Sequence, residues 1–131
     1  SIARVRVVRC DLEKILAKIS GQNKVSLSSP HLAPKPDSTI PVIPVYGACL
    51  DGENIYSSEN IQRNGIILIG NESHGISEHL LPFITHKITI PAFHSDVGER
   101  AESLNASVAT AIILAEFFRR FGFNPVEKQT L

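Results

Sequence analysis

One uninterrupted apolar run, at residues 66–69, limits the folds open to this chain more than any other feature. It reads Ile-Ile-Leu-Ile, and Gly70, Asn71 and Glu72 follow directly. A strand with one face in water alternates apolar and polar residues, whereas a strand of a parallel sheet is covered on both faces and is apolar throughout. The run therefore predicts a buried strand of a parallel sheet that ends in a polar loop with little side-chain bulk.

Strand patterns and helix patterns alternate along the rest of the chain. The predicted strands are residues 4–9, where valine and arginine alternate, and the short apolar segments 45–48, 65–69 and 87–91. The predicted helices are residues 11–20, capped by Asp11 and closed near Gly21, residues 77–84, capped by Ser77 and limited by Pro82, and residues 104–121, ended by Gly122. This alternation indicates an α/β fold, with a mostly parallel sheet flanked by helices.

Two further segments have the composition of connections. Residues 20–44 contain five prolines, which cannot donate to a ladder, so we expect a long loop or extended arm there. Asp51-Gly52 is a turn signal and predicts a turn after the strand at residues 45–48.

Composition predicts one soluble, cytoplasmic domain covering residues 1–131. A length of 131 residues with 43% hydrophobic content can bury a core, and the longest apolar runs are too short to cross a membrane. Thirteen basic residues balance thirteen acidic ones, so any basic patch for nucleic acid must be local. Cys10 and Cys49 lack metal-ligand spacing, and we expect two small buried residues in a reducing compartment. The chain contains no methionine, which suggests a fragment or a processed piece.

Three loops follow three of the predicted strands and would meet at one edge of the sheet. They begin at Gly47-Ala48, at Gly70-Asn71-Glu72 and at Pro91. Ligands of open α/β sheets bind outside the carboxyl ends of the strands, so a shared pocket is expected there. The alternative is that these small residues only make tight turns.

The segment "ESLNAS", residues 102–107, places several polar side chains before an apolar helix. Ser103 or Asn105 alone would serve as an ordinary N-cap. Because a cap needs one such residue and the helix dipole favours negative charge at this end, the segment could also hold an anionic group.

Three segments form an ordered pattern: "GIILIGNESHGIS", then "KITIPAF", then "ESLNASVATAIILAEFF". Each is weak alone, but the order is specific: an apolar strand with Gly-Asn-Glu-x-x-Gly-Ile-Ser, a strand ending in Ile-Pro, and Ser-Leu-Asn-x-Ser before an apolar helix. In this order the chain resembles the SpoU branch, also called TrmH, of the SPOUT RNA methyltransferases. The resemblance covers roughly residues 42–120, and we expect it to include "SIARVRVVRCDL".

The resemblance implies an enzyme that uses S-adenosyl-L-methionine to methylate rRNA or tRNA, most often at a ribose 2′-hydroxyl. It implies a SPOUT fold with a trefoil knot, which is an exception to the usual absence of threading. It also implies a homodimer that pairs through such a C-terminal helix, where Phe117, Phe118 and Phe121 would be core and contact residues. No metal or membrane is implied.

By motif matching, the resemblance also implies the residues of the site. Gly70, Ile90 and Leu104 would contact the cofactor, with Gly47 and Ala48 as weaker candidates. Asn71, Glu72, Ser103 and Asn105 would line the reaction centre. An asparagine and a serine can hold ribose and phosphate oxygens, although neither is a good base.

The sequence departs from the family pattern in two places. The first motif, Asn-x-Gly followed by a catalytic arginine, is not found; Arg4 could be offered for it, but residues 1–9 match better the strand downstream of that motif. We therefore expect the chain to lack the amino-terminal strands. Residues 92–101 are longer than the usual spacer. Asp96, Glu99 and Arg100 could order over the substrate or extend the dimer contact, although a solvated loop is the commoner explanation. His74 and His94 read as surface or loop residues.

Two other functions remain open on the sequence alone. The first is a catalytically incomplete module that binds the cofactor or dimerises. The second, disfavoured because neither GxGxxG nor a P-loop is present, is a different α/β nucleotide binder.

Overall fold

The computed structural model describes residues 6–27, 42–91 and 105–122, and for residues 24–27 it describes the backbone alone. The chain forms two compact units, Ser1–Val42 and Ile43–Leu131. Each unit is described by itself. The prediction of a single domain over residues 1–131 stays a prediction.

The described part of the first unit contains one helix, α1, at Leu12–Leu27. Asp11 caps it as predicted, since its side-chain Oδ1 accepts a hydrogen bond from the Lys14 N–H at 3.3 Å. The predicted end near Gly21 was wrong, because no proline interrupts the backbone before residue 30 and one glycine does not stop a helix. The loop predicted from residue 20 was therefore also wrong as far as residue 27.

The predicted first strand was wrong for residues 6–9, which have no regular secondary structure; residues 4 and 5 lie outside the described residues. Val7 and Val8 are both exposed. Alternation of valine and arginine favours a strand only where a neighbouring strand completes the ladder.

The second unit contains a three-stranded parallel sheet. The strands are β1 at Val45–Asn54, β2 at Ile66–Leu68 and β3 at His86–Thr89, in the order β2-β1-β3. Both outer strands pair with β1 in parallel. This confirms the prediction of an α/β fold with a mostly parallel sheet.

Strand β1 contains a bulge that the sequence did not indicate. Ala48 and Glu53 both stand opposite Ile88 of β3, so residues 49–52 lie between two pairings with the same residue. A Cβ on Gly52 would come within 2.7 Å of the Ile88 nitrogen, which shows how closely the bulge returns to β3. The turn predicted at Asp51-Gly52 was therefore wrong: the chain rejoins the sheet and turns only after Asn54.

The helix predicted at residues 77–84 was also wrong. The segment makes successive i to i−3 hydrogen bonds, such as Leu80 N–H to the Ser77 carbonyl at 2.9 Å, and its regular part is a 3₁₀ turn at Leu81–Phe83. Pro82 has no N–H and therefore cannot donate the α-helical bond to residue 78.

The final helix, α2, spans Ala106–Phe121 and covers the sheet. Its end at Gly122 is confirmed: the Gly122 N–H donates to the Phe118 carbonyl at 2.7 Å, and the glycine has a φ of 60°. The core comprises Tyr46, Ile55, Ile61, Ile88 and Ile113, with six partly buried residues, Ala48, Ile67, Ile69, Ile90, Phe117 and Phe121, packed against it.

A buried ionic network ties the end of α2 to the turn after β1. The Glu116 carboxylate accepts from Arg119 Nη2 at 2.6 Å and from Arg120 Nε at 3.1 Å. Arg120 in turn donates to the carbonyls of Ser58 at 2.5 Å and Ile55 at 2.6 Å. The hydrogen bonds from Arg119, with the one from Arg120, lower the pKa of Glu116 to about 2 despite its burial.

We expect this network to make the protein acid-sensitive below about pH 4.5. The folded-state pKa of Glu116 is lower than its ordinary value of 4.5, so its stabilisation is complete above about pH 4.5 and is lost as the pH falls toward about 2. Urea unfolding of Glu116→Gln should lack this pH dependence. Glu116→Ala should lower the free energy of unfolding at pH 7 by about 3 kcal/mol, the lower end for breaking a buried ion pair, because Arg120 loses its carboxylate partner and keeps only main-chain carbonyls. Glu59→Gln, at an exposed position, is the control. Equal loss in both glutamine variants would contradict the assignment.

Candidate functional site

A cavity of about 1080 Å³ opens at the carboxyl ends of β2 and β3, beside the bulge of β1. Three chain segments and the start of α2 enclose it, as expected if the strands are neighbours. Its described lining residues are Ala48, Cys49, Leu50, Tyr56, Ile69 to Ile76, Leu81, Ile88 to Pro91, Ala106, Ala109, Ile112 and Ile113. Most of these side chains are apolar, and few polar groups face the space.

The loop after β2 is a closed turn rather than an open arm. Asn71 and Gly75 exchange two main-chain hydrogen bonds, at 3.0 and 2.8 Å, and the Asn71 Oδ1 accepts from the Ser73 N–H at 2.7 Å. Gly75 has a φ of 69°, which favours glycine. The loop thus holds its own shape, and the Asn71 side-chain oxygen is used within it.

Gly70 is required by the loop itself. A Cβ on Gly70 would overlap the carbonyl carbon of Gly75 and the nitrogen of Ile76. The sequence suggested that the missing side chain leaves room for a ligand; the structure gives a nearer reason, since the returning backbone of the loop occupies that room. Gly70 therefore sets the position of the cavity wall.

The bulge of β1 supplies the opposite part of the wall through Cys49 and Leu50. Next to them, Lys87 Nζ of β3 donates to Asp51 Oδ2 at 3.0 Å, and this hydrogen bond lowers the pKa of Asp51 and raises that of Lys87. Burial, with a smaller effect of Asp51, raises the pKa of the Cys49 thiol, which favours the neutral form. Both cysteines are free; because Cys10 is exposed and Cys49 half-buried, the prediction that both are buried was wrong.

Asn105 is the N-cap of α2. Its side-chain Oδ1 accepts from the Ser107 N–H at 2.8 Å, and its carbonyl accepts from the Ala109 N–H at 2.9 Å. The side-chain amide nitrogen plays no part in the cap and keeps its capacity to donate. Asn105 directly precedes Ala106, which lines the cavity.

The structure brings together five of the nine predicted site residues on the cavity wall: Ala48, Gly70, Asn71, Glu72 and Ile90. Gly47 lies in β1 under the Ile84 side chain and does not line the cavity. Ser103 and Leu104 lie outside the described residues, as do residues 92–101 and His94. These placements leave the chemical roles as predictions.

Sequence reasoning did not single out Cys49, Leu50 or Tyr56 as residues of the wall, and it took His74 for a surface or loop residue. Leu50 and Tyr56 are 71% and 48% exposed, so neither is needed for the core. His74 is an exposed loop residue, as predicted, but it also faces the cavity. Cys49 and Leu50 reach the wall through the bulge, for which the sequence has no signal, and Tyr56 lies in the turn after β1.

The cavity fits a folded nucleoside cofactor in size and chemistry. Small-molecule sites have volumes of about 300–1,000 Å³ and are mostly apolar with a few placed polar groups. Glu72 is the one carboxylate among the described lining residues, and Ile69, Ile88 and Ile90 offer apolar surface for a flat ring. In the described ranges, no group of three or more His, Cys, Asp or Glu could hold a metal ion. No helix of the described chain is long and apolar enough to cross a membrane.

The family model of the SpoU rRNA methylases matches residues 37–115. The chain belongs to this family. The match includes all three strands and the loops that enclose the cavity, so it rests on the same residues as the site.

Individual relatives agree with this assignment. Over 80 residues the chain is 34% identical to an uncharacterized tRNA/rRNA methyltransferase of Synechocystis sp., a match that covers 61% of the chain and 20% of that protein. A structure of a TrmH-family protein from Porphyromonas gingivalis matches with a TM-score of 0.59 at 34% identity, covering 82% of this chain and 35% of that one.

The SpoU methyltransferase AviRb of Streptomyces viridochromogenes, solved in complex with AdoMet, matches with a TM-score of 0.56 at 22% identity. That match covers 84% of this chain and 36% of AviRb, and at this identity it concerns the fold. The chain therefore spans between a fifth and about a third of the length of these relatives.

Proposed function

We propose that the protein is an S-adenosyl-L-methionine-dependent RNA methyltransferase that acts on a ribose 2′-hydroxyl of rRNA or tRNA in the cytoplasm. The observation that carries the proposal is the cavity, whose walls come from the family's Gly-Asn-Glu loop, the Ile-Pro strand end and the start of α2. The bound cofactor of AviRb, a relative of the same fold, supports the choice of ligand.

In this proposal, the cofactor binds against the apolar wall and the main chain of the loops. Gly70, Ile90 and Ala48 line the cavity, and Leu104 would contact the cofactor as the family motif implies. The cofactor supplies a methyl group on a sulfonium. Gly47 contributes indirectly, because its lack of a side chain lets Ile84 pack against β1.

The reaction centre would lie at the polar end of the cavity. The Asn105 amide donates to a ribose or phosphate oxygen of the RNA, and Ser103 assists it. Glu72, which lines the cavity, would take up the proton of the acceptor hydroxyl, and Asn71 holds the turn that contains Glu72. These groups orient the hydroxyl for in-line displacement.

Two measurements test the proposal. Calorimetry should show binding of S-adenosyl-L-methionine or its demethylated product, and labelled methyl should pass to rRNA or tRNA and appear as a 2′-O-methylated nucleotide after nuclease digestion. A methylated base in place of the ribose would correct the acceptor. Binding without transfer by the intact protein would identify a non-catalytic module, and no binding would overturn the proposal.

We also propose that the protein is a homodimer through α2. Leu114 and Phe118 are one helical turn apart and are 43% and 54% exposed, and Val108 near the start of the helix is 47% exposed, although Ile113, Phe117 and Phe121 of the same helix join the core. Exposed apolar side chains grouped on one helix are typical of a subunit interface.

Replacing Leu114 by glutamate is expected to shift the protein from dimer to monomer, because it places a charge in an apolar interface. Sedimentation at micromolar concentration measures the state. Gln62→Glu adds the same charge at another exposed position and should leave the mass unchanged. A Leu114→Glu protein that stays dimeric, or a monomeric parent, would contradict this interface.

A further inference from the structure

The charges of the chain are divided between its two compact units. Residues 1–42 hold seven Lys and Arg against three Asp and Glu, a formal net charge of +4, and residues 43–131 carry −4. The overall neutrality of the sequence hides this division. A polyanion is attracted by the first unit and repelled by the second.

The described cations of the first unit lie at its surface. Arg6, Arg9, Lys14 and Lys18 are all exposed. Lys14 Nζ lies 3.9 Å from Asp11 Oδ2, and both side chains are well exposed. The attraction between two exposed charges of this kind is weak. Among the described residues, no acidic partner is found for Arg6, Arg9 or Lys18.

The second unit is arranged in the opposite way. Lys87 is engaged by Asp51, and Arg119 and Arg120 are engaged by Glu116. Four further carboxylates, those of Glu53, Glu59, Glu72 and Glu78, are exposed in the described part of this unit. Glu72 stands on the cavity wall itself, so RNA would approach the site against a negative local field.

We propose that Arg6, Arg9, Lys14 and Lys18 form a phosphate-binding surface that gives the protein its affinity for RNA. The inference rests on the proposed function for the identity of the polyanion. Ion pairs between these cations and phosphates release counterions, so they supply affinity without sequence preference and weaken with added salt. The methylation site would then select the nucleotide, and the first unit would hold the RNA.

Charge reversals test the surface, with total tRNA and an rRNA transcript as probes. Arg9→Glu and Lys18→Glu should each lower RNA affinity several-fold, and together about tenfold or more at about 0.15 M salt. The slope of log affinity against log salt should become shallower by about 0.7–0.9 for each phosphate that the variant no longer neutralises. Arg63→Glu, the same reversal at an exposed cation of the second unit, should change affinity less than about twofold.

The outcomes separate this proposal from the function on which it rests. Cofactor affinity measured by calorimetry should be unchanged in all four variants, and circular dichroism should show intact folding. Equal weakening by Arg63→Glu, or unchanged RNA binding by the double variant, would overturn the surface even if methylation is confirmed. Binding of the parent to vesicles rich in anionic phospholipid, with none to RNA, would also overturn it and assign the cations to a membrane.

Discussion

Gly70→Val should lower the affinity for S-adenosyl-L-methionine by about tenfold to a hundredfold. The valine Cβ would overlap the main chain of Gly75 and Ile76, so the closed turn must move away from β2. Overpacking of this kind costs about 1–3 kcal/mol, and each 1.4 kcal/mol changes a binding constant about tenfold. Calorimetry on the folded variant measures the loss.

A matched glycine separates steric overlap from loss of backbone freedom. A Cβ on Gly75 meets no atom within 4 Å, and its cost comes only from the φ of 69°. Gly75→Ala should therefore cost about 1–2 kcal/mol of stability with a smaller effect on binding. If Gly70→Val fails to fold, Gly70→Ala provides the smaller overlap. Unchanged cofactor affinity in a folded Gly70 variant would contradict the assigned wall.

Asn105→Ser is expected to lower methyl transfer by about a hundredfold while leaving cofactor affinity within about threefold. Serine preserves the N-cap of α2 but removes the amide donor, and loss of one well-placed donor costs about 10²–10³ in turnover. Single-turnover transfer and calorimetry on the same preparation measure the two effects.

Asn105→Ala tests the structural part of the same side chain. It removes the cap as well as the donor, so it should also lose about 1 kcal/mol of stability in thermal unfolding. Full turnover by Asn105→Ser would show that Asn105 acts only as the N-cap of α2. Equal losses of cofactor affinity and turnover would place it in cofactor binding.

The parallel sheet could be predicted from β2, whose own residues indicate a strand buried on both faces. An apolar run such as β2 needs burial on both faces, and only a covered parallel sheet provides it. The N-terminal valine-arginine pattern failed because a strand depends on a partner that its own residues do not specify. The 3₁₀ turn at Leu81–Phe83 was missed because Pro82 was expected only to limit an α-helix, whereas its missing N–H removes the α-helical hydrogen bond to residue 78.

The candidate site was predictable only in part. The loop after β2 is local, and its glycines and Asx turn are visible in the sequence. Cys49 and Leu50 reach the wall through the bulge of β1, which depends on how far β1 and β3 slip against each other. Whether Gly70 serves a ligand or its own loop depends on the return path of residues 75 and 76, which no local pattern encodes.

The pairing of both Ala48 and Glu53 with Ile88 lets the length of residues 49–52 vary. Because β1 leaves and re-enters its ladder opposite one residue, the alignment of Val45 to Ala48 and that of Glu53 and Asn54 do not depend on how many residues lie between them. Insertions or deletions within residues 49–52 would then change the shape of the cavity without shifting any strand. This stretch is a place where the ligand preference of the fold can be altered while its hydrophobic interior stays as it is.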